Sequence, residues 1–255
     1  MTARIRELKF ETAIVAGSLL SISAASWVLS TYHFTAESMT MGGMFQLDMV
    51  SILLFVGSWT FGMMAMMFPT IVPMTLAIFR AGRNASKDIK AGGGPTITKA
   101  FAFASAYISL WVGFGVALYL GIILLSSMTG LVEFPTLYLR FFPALIVLGS
   151  GIYQFAPLKG ECLNRCHPTT FLLRNYRGGI TGSALMGGSY GVFCIGCCWV
   201  LMINLLLIGA MSITWMGLFA IAILVERITP ERWQVSKIVG TILIVLGLWL
   251  SYQAS

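Results

Sequence analysis

The chain repeatedly runs for about 18 residues or more with apolar side chains, and that one feature decides which solvent it folds in. A helix of that length can cross the ~30 Å hydrocarbon layer of a bilayer. Of 255 residues, 58% are hydrophobic and only 10% charged, whereas water-soluble domains carry about 25% charged residues. In lipid every backbone N–H and C=O must be satisfied within the protein, which leaves helices or closed barrels. The runs are continuous and do not alternate, which favours an all-α, polytopic membrane helix bundle. The net charge of +7 is then read by position, because Lys and Arg mark cytoplasmic loops. It is not a nucleic-acid footprint.

The apolar runs predict about seven transmembrane helices, over roughly 11–30, 48–79, 100–125, 138–157, 182–207, 212–226 and 238–252. They form one integral membrane domain, 1–255, of a multi-pass protein in the cell (plasma or inner) membrane. Arg4, Arg6 and Lys9 precede the first run and place the N-terminus in the cytoplasm. That run is longer than a signal-peptide core, so it is read as a retained helix despite the small residues at Ser23–Ser26. Residues 80–99 carry five bases and form an inner loop. The outer loop at 31–47 has no Lys or Arg and offers His33, Met39, Met41 and Met44. Arg140 is one mild exception to this alternation.

Sulfur stands out against this background. Five cysteines cannot all pair internally. Cys194, Cys197 and Cys198 lie inside the fifth run, and residues three and four apart share a helix face. Met202 follows one turn later and Tyr190 precedes by one turn. The second run holds Met63, Met64, Met66 and Met67 just before Pro69 and Pro73. Proline has no N–H, so the carbonyls of Ala65 and Pro69 lose their helical donors. Freed carbonyls at membrane depth are tolerated only beside protein or water, often next to binding sites. Helices two and five run antiparallel, so both sulfur groups fall near mid-membrane and meet if those helices are neighbours. A third group, Cys162, Cys166 and His167, sits in an inner loop.

Thiols with thioethers suit Cu(I), which prefers soft ligands, better than zinc, to which thioethers add little. Mg and Ca want oxygen. The plainer reading is that Cys and Met pack here as adaptable apolar residues, with Gly187, Gly191 and Gly196 allowing close helix contact. Glu226 ends the sixth helix and is expected to pair with Arg227 or a loop base.

The stretches Met64–Pro69, Ala106–Trp111, Gly151–Pro168, Tyr190–Met202 and Gly209–Glu226, in that order, resemble the prokaryotic family of predicted metal-binding integral membrane proteins, a domain of unknown function. The resemblance covers roughly 58–250. Where the family has Arg after the second loop cysteine, this chain has His167, which adds a ligand type and removes a charge. The resemblance implies a multipass metal-binding membrane protein, with copper handling as the suggested role.

Three functions are weighed. The first is a Cu(I)-binding membrane protein that holds copper for, or passes it to, a copper-dependent membrane enzyme. Cys194, Cys197 and Cys198 would be its primary ligands, Met64, Met67 and Met202 secondary ones, and Cys162, Cys166 and His167 a cytoplasmic relay. The second is a thiol–quinone redox enzyme using the Cys194/Cys197 pair. The third is a structural accessory subunit among other membrane subunits. No nucleophile–base arrangement, phosphate loop or haem signature points to other chemistry.

Overall fold

A computed structural model describes residues 2–36, 48–85, 96–129, 136–209, 213–229 and 232–254, and these are almost entirely helical. The helices are α1 (Thr2–Ala36), α2 (Met49–Ala85), α3 (Thr96–Thr129), α4 (Thr136–Tyr153), α5 (Pro157–Arg165), α6 (Pro168–Asn175), α7 (Gly179–Gly209), α8 (Ile213–Ile228) and α9 (Arg232–Ala254). The expected all-α bundle is present. Segments of α1, α2, α3, α7 and α9 are long and apolar enough to cross a membrane, and α4 with α5 adds a sixth if that pair, bent by 64°, is one span. The expected span at 212–226 is α8, with only 16 residues. At 1.5 Å per residue it covers about 24 Å, short of the ~30 Å core. Met39, Met41, Met44 and the glycine run before Pro95 lie outside the described residues, as does the His33 side chain.

The stretch expected as an inner loop, 159–168, is instead two short helices folded against the bundle. Ala156 is extended (φ −67°, ψ 135°), as a residue before proline prefers. So α4 ends at Tyr153 rather than at the proline, and Pro157 opens α5. Pro168 opens α6 in the same way, at a position where a missing N–H costs nothing. Helix α5 lies on α7, and α6 reaches α2.

Helix α3 packs along α7, α2 lies against α1 and α3, and α9 runs along α4. Helices α2 and α7 are therefore joined mainly through α3 and α8 rather than side by side. The two sulfur groups still belong to one continuous buried core, which includes Met63, Met66, Met67 and Met202 with the three α7 cysteines. Asp48 opens α2, its carboxylate accepting the Ser51 N–H at 3.0 Å. Hydrogen bonds from the Ser51 side chain and backbone hold that carboxyl below its ordinary range.

The carbonyl released by Pro69 has a defined fate. Ala65 O accepts from Ser23 Oγ at 2.8 Å and from Trp27 Nε1 at 3.1 Å, both on α1. It serves helix packing, not a ligand.

Glycine sets the α3–α7 distance. A Cβ at Gly187 would overlap the Phe103 backbone carbonyl, and one at Gly191 would lie 2.9 Å from Leu110 Cδ1. The adjacent Gly188 faces open space. Gly187→Ala should thus destabilise the fold by about 1–3 kcal/mol through overpacking, read as a lower thermal unfolding midpoint in detergent. Gly188→Ala should leave the midpoint unchanged or raise it. Equal shifts in the two variants would contradict this packing.

Candidate metal centre

Near the middle of the apolar span of α7, the 3.6-residue repeat turns Cys194, Cys197 and Cys198 to one side. Each is at most 1% exposed. Their sulfur atoms all lie within 4.8 Å of one another, the one group of this kind among the described His, Cys, Asp and Glu residues. Cys197 Sγ is 3.3 Å from Cys198 Sγ, and the Cys197 thiol also donates to Cys194 O at 3.2 Å. All five cysteines are free thiols.

Two other helices close the group. From α3, the Tyr107 hydroxyl shares a hydrogen bond of 2.9 Å with Cys194 Sγ. From α8, Arg227 Nη2 lies 2.7 Å from Cys194 Sγ, 3.3 Å from Cys197 Sγ and 3.8 Å from Cys166 Sγ. Arg227 Nη1 donates to the Tyr190 hydroxyl at 3.0 Å, with the guanidinium 5.7 Å from the ring centroid. Tyr190 in turn donates to Cys166 O at 2.9 Å.

The position of Arg227 along α8 is what brings it to this depth. Cys194 lies 15 residues before the end of α7 at Gly209, and Arg227 lies 14 residues after the start of α8 at Ile213. Equal rises of 1.5 Å per residue carry both about 21–23 Å from the α7–α8 connection.

The next residue back points elsewhere, because successive helix positions diverge by about 100°. Glu226 receives Lys159 Nζ at 2.8 and 2.9 Å, and both side chains are at most 1% exposed. Gln154 Oε1 accepts from Lys159 as well, and from Ser236 Oγ at 3.0 Å. Of the two partners expected for Glu226, the base at 159 is the one found, and Arg227 turns to sulfur instead.

The other predicted site residues divide. Cys166, expected in a separate relay, caps α5 and joins the α7 thiols through Arg227, at 3% exposure. Cys162 is half-buried and faces α7, its Sγ 3.1 Å from where a Gly196 Cβ would stand. His167 is the half-buried N-cap of α6 and lies outside the close thiol group. Met202 and Met67 are fully buried in the surrounding core, and Met64 packs half-buried against it. Sequence reasoning missed Arg227 and Tyr107 as neighbours of the thiols, and Lys159 as the buried partner of Glu226. One signal was available: residues 178–225 contain no Asp, Glu, Lys or Arg, so a charged pair ending that run sits where an ionisable group is costly and points to function.

Soft sulfur donors gathered in an apolar interior beside a fixed cation give this helical bundle a thiol centre with the donor types that soft metal ions prefer. A family comparison gives that centre its place. The PpoB2 copper chaperone model matches residues 56–250, and the chain belongs to that family. The match coincides with the region of roughly 58–250 picked out by its motifs. Comparison with curated proteins and with solved structures finds no match.

The buried ion pair carries its own expectation. Lys159→Met leaves the Glu226 carboxylate uncompensated and should cost about 3–5 kcal/mol, whereas Lys159→Met with Glu226→Leu should recover most of that loss. Thermal unfolding of the purified variants in detergent checks this. A double variant no more stable than the single one would contradict it.

Proposed function

We propose that the protein binds Cu(I) at Cys194, Cys197 and Cys198 and holds it for, or passes it to, a copper-dependent enzyme in the same membrane. The observation that carries this reading is the cluster of three buried sulfurs within 4.8 Å. A monovalent soft ion is satisfied by few thiolate ligands, and such ligands discriminate against the hard cations. Membership of a copper chaperone family supports copper as the cargo. The thioethers of Met202, Met67 and Met64 supply weaker soft donors around it. Cys166, beside the cluster, with Cys162 and His167 beyond it, forms the route to the exchange partner. The N-terminus lies in the cytoplasm, and the whole of 1–255 acts as one membrane unit, a reading supported by the α1 donors at Ala65 O.

The thiol–quinone reading needs accessible thiolates. Burial of all three sulfurs to 1% or less weighs against it.

Elemental analysis of detergent-purified protein tests the proposal. Wild type should retain near-stoichiometric copper. Cys197→Ser with Cys198→Ser, or serine at all three positions, should lose it while the protein still inserts. Zinc in place of copper would point to a structural site. No copper after loading under reducing conditions, or full retention in the serine variants, would overturn the assignment.

A further inference from the structure

Resting on the reading that the three α7 cysteines hold the metal, we propose that Arg227 is the counter-charge that makes this centre prefer a monovalent over a divalent soft ion. The argument begins with what faces the sulfurs. The neighbouring Lys159 and Glu226 pair with each other and sum to zero. Among the described residues Arg227 has no carboxylate partner. Its contacts are the sulfurs of Cys194, Cys197 and Cys166 and the hydroxyl of Tyr190. Its Nε is buried without a partner. A guanidinium stays charged in proteins and only donates. The local surplus is therefore one fixed positive charge, aimed at the thiols.

The electrostatics follow from counting. Binding at three thiols releases three protons, to water or to the ligands of the donor that gives up the metal. Three thiolates with Cu(I) carry a net charge of −2, and with Zn(II) a net charge of −1. Coulomb attraction scales with the product of charges and is weakly screened in an apolar interior. Arg227 is thus attracted about twice as strongly to the copper complex as to the zinc complex on the same ligands. Removing its charge penalises copper by about the square of the factor by which it penalises zinc. The sulfur ligands set softness and the arginine sets valence.

This selection differs from a scaffolding role in what it moves. A residue that only orients Cys194 would change both metal affinities together. Tyr107 provides that comparison, because it also hydrogen-bonds Cys194 Sγ but carries no charge.

The experiment measures Cu(I) and Zn(II) affinities by chelator competition on full-length protein in detergent. If Arg227→Gln weakens zinc about tenfold, it should weaken copper about a hundredfold. Arg227→Lys keeps the charge and should hold the copper-over-zinc preference within about threefold of wild type, whereas Tyr107→Phe should shift both metals by a similar factor. The inference is overturned if Arg227→Gln lowers the two affinities equally or leaves both unchanged. If Arg227→Gln does not fold, Arg227→Lys decides, and a loss of preference beyond about tenfold overturns it. Wild type that binds no Cu(I), or serine variants that bind it normally, would sink the ligand assignment itself. Proportional losses in Arg227→Gln alone would sink only the role of the arginine.

Discussion

A charge inside an apolar bundle must find a partner, and here two adjacent charges at the C-terminal end of α8 find different ones. Glu226 takes Lys159 from α5. Arg227 takes the sulfurs of α7 and, through Tyr190, the C-cap of α5. Neither side chain can leave without exposing the other partner's polar group to a low-dielectric surrounding, where such exposure is costly. Glu226 thereby ties α8 to α5, and Arg227 ties α8 to α7. The thiol cluster is assembled by the same contacts that close the fold.

Helix length and helix irregularity do the positioning. Helix α8 has 16 described residues and ends level with Cys194. The α4–α5 bend of 64° brings Lys159 and Cys166 to meet it. Non-helical backbone at that depth is tolerated because it is packed against protein. On the other side, the missing side chain at Gly187 lets α3 come close enough for Tyr107 to reach Cys194. Hydrogen bonding, steric fit and charge all converge on one face of α7.

Much of this was legible in the sequence. Apolar run length gives the long helices, three- and four-residue spacing gives the thiol face, and the glycines of helix α7 announce its close contacts. What was not legible depends on long-range juxtaposition. Tyr107 is 87 residues from Cys194. Lys159, read as a base in a loop, is fully buried, because the prolines at 157 and 168 start helices rather than simply ending one. Arg227 and Glu226 look like a local pair, and only the helical rotation between them sends one to α5 and the other to α7. Cys166 looked like part of a distant relay because sequence gives no means of seeing α5 fold back.

The donors at Ala65 O have a consequence for the first helix. Pro69 lies within the region shared by the family, but Ser23 and Trp27, which satisfy the carbonyl it releases, lie before that region begins at residue 56. In this chain the matched region thus carries a demand that is met from outside it. Without α1, that carbonyl would have to turn to another side chain or a trapped water, since lipid tails offer no donor. The first helix is then part of how the proline-bearing helix keeps its backbone satisfied in an apolar core.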